Sequence, residues 1–246
     1  MLNIQEVLNS LPKTDHKVIV SHSGGLDSST SLILASRVYG SENVLSVSFN
    51  YGQKQSLELE RAAALCKKLN IKHNIISIPQ LGDIVRGTSA NIKGSDISVP
   101  SIKEVLGDPQ PKTYIPHRNM ILFSFVAAFA EANDAEYVIC GLQATDEYGY
   151  WDTTVTFAER MNSVFALNRK TPIKLIAPFN ILTKTEELQI LEYIDMLHLT
   201  KHTLSCYNPD ELGRSCGICP TCAERVKSWM NLGKADTIEY SINIPW

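Results

Sequence analysis

The chain has 246 residues, 44% of them hydrophobic and 20% charged, and a net charge of −3. That length suits one large domain, or one domain with a small appendage, and supplies enough apolar material for a sizeable core. The slight negative charge argues against a stable nucleic-acid footprint. The longest apolar run, near 123–130, is too short for a bilayer, and no basic-then-apolar leader opens the sequence, so a cytoplasmic protein is expected.

The apolar stretch from Lys17 to His22 reads as a strand. It runs into Ser23-Gly24-Gly25-Leu26-Asp27-Ser28-Ser29, and helical spacing follows from Ser28 to Val38. Strand, glycine turn and helix is the context in which a backbone wraps an anion. The glycines allow a tight turn, amide N–H groups approach phosphate oxygens, and the helix points its positive end at the same place. Two serines add hydroxyl donors, and Asp27 can hold magnesium. No lysine follows the glycines, which excludes the Gly-x-x-x-x-Gly-Lys loop that grips transferable phosphates.

Val44 to Tyr51 reads as a second strand, Gln55 to Leu69 as a helix and His73 to Ile78 as a third strand. Residues 80–114 are rich in glycine and proline and read as a long functional loop with a helical piece near Ile102 to Leu106. Met120 to Asn133 is apolar almost throughout and predicts a buried helix. A strand over Tyr137 to Leu142, a polar and aromatic loop, a helix over Thr153 to Leu167 and a strand over Ile173 to Pro178 follow. Thr183 to Leu197 predicts a helix opened by the capping pattern Thr183-x-x-Glu186. The alternation predicts an α/β fold: a parallel five-stranded sheet with helices on both faces, Rossmann-like, with ligands at the carboxyl ends of the strands. The expected division is residues 1–200 as the main domain and 201–246 as a small C-terminal metal-binding segment.

Six cysteines are present, and four of them, Cys206, Cys216, Cys219 and Cys222, have the spacing C-x9-C-x2-C-x2-C. Paired C-x2-C turns place thiolates on one tetrahedral ion, and four thiolates make a closed structural zinc site. A redox pair and an iron–sulfur cluster are the competing readings; a redox C-x2-C usually stands alone near a βα unit. No His-x-Glu occurs, which argues against a zinc deaminase. Cys66 and Cys140 read as packed core thiols.

Together these motifs resemble the 7-cyano-7-deazaguanine (preQ0) synthase family within the PP-loop ATP pyrophosphatases, whose fold is that of the adenine nucleotide α-hydrolases. The loop Ser23 to Ser28 marks the wider group. Phe49-Asn50-Tyr51-Gly52-Gln53-Lys54, Ile115-Pro116-His117-Arg118-Asn119, Leu182-Thr183-Lys184-x-Glu186 and Ser205-Cys206-Tyr207 with its cysteines are more specific, and the resemblance spans roughly Lys17 to Lys227. It implies a ligase that converts 7-carboxy-7-deazaguanine and ammonia to the nitrile in two adenylation rounds, with structural zinc, magnesium with ATP, and a homodimer. On this resemblance Ser21, Ser23, Gly24, Gly25, Leu26, Asp27, Ser28, Ser29, Asn50 and Gln53 are expected at ATP. Asp27, Lys184 and Arg118 are expected to act in catalysis. Arg118, Asn119, Gly149, Tyr150, Trp151 and Asp152 are expected at the substrate, an aromatic ring stacking on the flat base and Asp152 accepting from its N–H edge.

The chain departs from the family at 146–153. There it has Asp-Glu-Tyr-Gly-Tyr-Trp-Asp-Thr in place of Asp-Tyr-Ser-Gly-Tyr-Pro-Asp-Cys, and His117 stands where the family usually has glycine. These departures, with the long 80–114 segment, motivate a second reading: a related enzyme of an antiviral system that adenylates a deazapurine acid and joins it to a protein amine. A third, RNA thiolation as in the PP-loop tRNA thiolases, needs a cysteine or cluster in the active cleft, whereas the four clustered cysteines here read as zinc ligands.

Overall fold

Short β-branched runs pair into one all-parallel sheet in the computed structural model, which describes residues 4–100, 102–105, 108, 110–143 and 150–246. The strands are β1 (Lys17–Ser21), β2 (Val44–Asn50), β3 (Lys72–Ser77), β4 (Ala135–Cys140) and β5 (Lys174–Ile176), in the order β3-β2-β1-β4-β5. Val18 pairs with Val44 on one side and with Tyr137 on the other, so β1 is central. Strand order reverses between β1 and β4, and the loops leaving these strands open a crevice at the switch point.

The helices are α1 (Ile4–Ser10), α2 (Leu26–Tyr39), α3 (Leu57–Leu69), α4 (Pro79–Val85), α5 (Ile102–Val105), α6 (Arg118–Ala132), α7 (Val155–Phe165), α8 (Lys184–Tyr193) and α9 (Pro220–Leu232). Side-chain alternation along β1 sends Val18 and Val20 to one face and Ile19 to the other. The first face packs on Leu32 and Ile33 of α2, Leu65 of α3 and Leu191 of α8. The second packs on Phe123 and Val126 of α6 and Phe157 and Met161 of α7. Burying each such aliphatic side chain is worth roughly 1.5–3 kcal/mol, so the two layers outweigh any surface ion pair here.

Three elements differ from the sequence reading. Segment 80–114 carries the expected helical piece, α5, and a helix the reading lacked. It begins with α4, and a bridge between Gln53 and Ile92 and the Ala90 amide donating to the Lys112 carbonyl fold it back over the crevice. Helix α6 is not buried all round: Asn119, Phe123, Val126 and Ala130 face the sheet, whereas Met120 and Phe125 are exposed, because a helix on one face of a sheet has an outer side. Helix α9 was not expected. It follows the cysteines, and its Trp229 packs on Leu26 and Leu188, joining the C-terminal segment to α2 and α8. Among the described residues no helix is long and apolar enough to cross a membrane.

Candidate active site

The glycine loop sits where β1 ends and α2 begins. Gly25 is the N-cap of α2 and has no side chain to cap it, and Leu26, Asp27 and Ser28 of the first turn line the crevice. The loop is wedged between two backbones. Gly24 has φ +93°, and a Cβ there would lie 2.1 Å from the Glu58 carbonyl oxygen of α3. A Cβ on Gly141, just past β4, would lie 2.5 Å from the Ser28 nitrogen. Glycine is required at both positions by close approach. The Ser23 and Ser28 hydroxyls converge at 2.9 Å, and the Gly25 amide donates to Ser23 Oγ. From the C-terminal segment, Ser205 Oγ accepts from the Leu26 amide.

Opposite the loop, the first turn of α8 delivers Lys184. The capping box of Thr183 and Glu186 fixes that turn. Lys184 Nζ donates to Gln143 Oε1 at 2.9 Å, pairs with Glu224 Oε2 at 3.0 Å and lies 3.6 Å from Asp27 Oδ2. Gln143 in turn donates to Glu187. A buried ammonium held by two carboxylates and an amide faces the glycine loop, a cation placed to meet anionic charge.

The crevice, about 290 Å³, is lined by Ser21, Ser23, Gly25, Leu26, Asp27, Ser28, Gln53, Arg118, Asn119 and Lys184 among others. It continues into a smaller recess lined by Gln55, Asn91, Thr113, Tyr114 and Asp152. Tyr51, Glu58, Arg118, Tyr150 and Tyr207 line both. Burial opposes the Arg118 charge, but Tyr51 and Asp152 outweigh it and hold the guanidinium protonated. Burial pushes the Asp152 carboxyl up against the pull of Arg118. Glu58 is pushed up to about 8 by burial, with Arg118 opposing. Asn119 is pinned by Asp152: its amide N–H donates to Asp152 Oδ2, and its side chain donates to the Asp152 carbonyl.

Three expected site residues, Ser29, Asn50 and Trp151, sit outside the crevice, whereas Gln53 lines it. Ser29 is fully buried, with its hydroxyl 2.9 Å from His22 Nε2, on the core side of α2. Asn50 is exposed at the end of β2, outside the crevice. Gln53 lines the crevice, but its amide serves its own turn, donating to the Phe49 carbonyl and accepting from the Tyr51 amide. Trp151 lies outside both recesses. It donates through Nε1 to Tyr114 Oη and meets His117 and Phe157 edge-on. Tyr150 lines both recesses, stacked on Tyr114 and bonded to the Thr113 hydroxyl. Gly149 and the altered positions Glu147 and Tyr148 lie outside the described residues. His117 takes φ +54°, the left-handed region that a glycine occupies without strain.

Glu58, Asn91, Thr113, Gln143 and Glu224 carried no motif in the sequence reading. Tyr207 did, as part of Ser205-Cys206-Tyr207.

Below the crevice the sulfur atoms of Cys206, Cys216, Cys219 and Cys222 lie within 4.8 Å of one another, a set that could hold one metal ion. The Asn208 and Cys216 amides donate to Cys206 Sγ, and the Cys219 amide donates to Cys216 Sγ. Hydrogen bonds from Cys206 and Cys222 lower the Cys219 thiol. Arg225, three residues on, is fully buried and pairs bidentately with Asp236, at 2.6 and 3.0 Å.

The family model for the queuosine biosynthesis protein QueC matches residues 17–233. The chain is 34% identical over 224 residues to the 7-cyano-7-deazaguanine synthase of Marinomonas sp. (strain MWYL1), covering 91% of this chain and 98% of that one. It is 35% identical over 232 residues to the 7-cyano-7-deazaguanine synthase of Acetivibrio thermocellus, covering 91% and 97%. Among solved structures, the U34-tRNA thiolase NcsA from Methanococcus maripaludis, with its 4Fe–4S cluster, superposes with a TM-score of 0.50 at 17% identity, covering 78% of this chain and 63% of that one. That likeness speaks to the PP-loop fold.

Proposed function

The chain belongs to the QueC family, and from that membership we propose that it is a 7-cyano-7-deazaguanine synthase, an ATP-dependent ligase forming carbon–nitrogen bonds. The substrate is 7-carboxy-7-deazaguanine. Its carboxylate attacks the α-phosphorus of ATP and expels diphosphate, and ammonia displaces AMP to give the amide. The amide oxygen is adenylated in turn, and loss of AMP and a proton leaves the nitrile.

The observation that carries this reading is the pair of recesses sharing Tyr51, Glu58, Arg118, Tyr150 and Tyr207. An anion grip and a polar recess with aromatic walls meet at one arginine. Ser21, Ser23, Gly24, Gly25, Leu26 and Ser28 form the nucleotide side. Asp27, 3.6 Å from Lys184, would hold magnesium, which would neutralise diphosphate charge, and Lys184 offsets the charge that grows on the departing diphosphate. Arg118 orients the substrate carboxylate. Tyr150 supplies the ring for the base, and Asp152, held by Asn119, accepts from its N–H edge. The four cysteines hold a structural zinc that staples the C-terminal segment beneath the crevice. A homodimer acting in the cytoplasm completes the proposal.

Incubation with ATP, ammonium and 7-carboxy-7-deazaguanine should give the nitrile together with AMP and diphosphate, resolved by mass spectrometry. AMP release without amide or nitrile would sink the proposal. A mass shift on an added protein in place of nitrile would point to the protein-amine acceptor.

A further inference from the structure

A second cluster of metal-ligating side chains lies under the glycine loop, away from the C-terminal cysteines. His22 follows β1, Cys66 is in α3 and His73 is in the edge strand β3, and one ligand atom of each lies within 4.8 Å of the others. Cys66 Sγ is 3.7 Å from His22 Nδ1 and 3.6 Å from His73 Nδ1. An ion bound tetrahedrally by nitrogen and thiolate at ordinary bond lengths would set these separations at about 3.5 Å. The two nearly equal distances bring two imidazole nitrogens and one sulfur together at the spacing a single ion requires. The Ser46 hydroxyl stands beside them, 3.0 Å from His73 Nδ1 and 3.3 Å from His22 Nδ1.

We propose that His22, Cys66 and His73 form a buried site for one thiophilic d10 metal ion, zinc or copper(I), anchored behind the nucleotide loop. The donors are one sulfur and two imidazoles with no carboxylate, a set suited to soft and borderline ions and not to magnesium or calcium. Binding breaks the Cys66 S–H bond, forms a metal–sulfur bond and releases one proton to solvent. The thiolate then leaves a monovalent ion neutral and a divalent ion with a single residual charge, a modest burden for a buried site. His22 Nε2 is left to donate to Ser29 Oγ, whose residue is in the first turns of α2, so a filled site fixes the core side of the loop. His22, Ser46 and Cys66 are closed to solvent, whereas His73 is half-buried at the sheet edge and marks the ion's route in.

Cadmium-113 NMR of the full chain loaded with cadmium tests this directly, because sulfur-only and mixed nitrogen–sulfur sites resonate far apart. Two signals are expected, one for each cluster. Cys66→Ala should abolish the mixed-donor signal and leave the other unchanged. His73→Ala, at the sheet edge, should do the same and keeps the test decisive if Cys66→Ala fails to fold. A folded wild-type chain showing the four-sulfur signal alone, or a second signal that persists in either folded variant, overturns the site.

Discussion

Lys184→Met removes the ammonium opposite the glycine loop while keeping most of the side chain's apolar stem. At 3.0 Å from Glu224 and 3.6 Å from Asp27, each pair has a gross attraction of about 5 kcal/mol at an effective dielectric constant of 20. Desolvation cancels most of that. Breaking a fully buried pair costs roughly 3–5 kcal/mol. The Glu224 and Asp27 side chains are 17% and 25% exposed, so water reaches them and the loss of stability should be smaller, roughly 1–3 kcal/mol. Turnover should fall further, because the cation would face charge that grows only as diphosphate leaves: about 10²–10³-fold in kcat. The two effects separate in Lys184→Met with Glu224→Gln, which removes one of the two carboxylates that faced the ammonium and should recover stability but not turnover. Urea unfolding and initial rates of AMP release are the assays. A kcat within about three-fold of wild type in Lys184→Met refutes the diphosphate role, and a double variant no more stable than the single one refutes the ion network.

Gly24→Ala should destabilise the fold by roughly 2–4 kcal/mol, because its Cβ collides with the α3 backbone and φ is positive; wild-type urea midpoints would contradict this. Asp152→Asn should raise KM for the deazaguanine acid by roughly 10–100-fold, the worth of a charge-assisted bond, with KM for ATP nearly unchanged. Equal rises in both would place Asp152 outside the base recess. Glu58, raised to about 8 from 4.5, binds more protons folded than unfolded, so its effect on stability is most favourable below about pH 4.5 and is lost as pH rises through about 8. Glu58→Gln should therefore gain on wild type between about pH 5 and pH 9, by on the order of 1–2 kcal/mol after screening; a pH-independent difference in urea unfolding would rule this out.

The periodicity of β1 and β2 and the glycine loop were legible because each depends on neighbours in sequence. Direction within a turn was harder. Successive helical residues diverge by about 100°, so Ser28 reaches the crevice while Ser29 meets His22 in the core. Tyr150, in extended backbone, lines the recess, whereas Trp151 opens the following 3-10 turn and points elsewhere. The apolar composition of α6 suggested full burial, but composition does not report how many layers cover a helix. Glu58 was not legible at all: an acidic residue in a helix's first turn ordinarily answers the helix dipole, and only the tertiary approach of Arg118 and Tyr51 sets it apart. Asn91 and Thr113 were hidden because proline and glycine signal turns without saying where a turn is folded back.

Helix α3 ties these parts together. The Glu58 carbonyl backs Gly24, so α3 sets how far the glycine loop can retreat. The Glu58 side chain stands between the nucleotide crevice and the base recess, where it shares walls with Arg118. About two turns further on, Cys66 meets His22 and His73 behind the same loop. A shift of this one helix along its axis therefore moves the back of the anion grip, the divider between the recesses and the buried sulfur in concert. Hydrophobic packing of Leu65 against the central strands resists that shift. The position of the loop is thus a property of the tertiary core, and the residues Ser23 to Ser28 acquire their geometry from a helix that begins about thirty residues later in the chain.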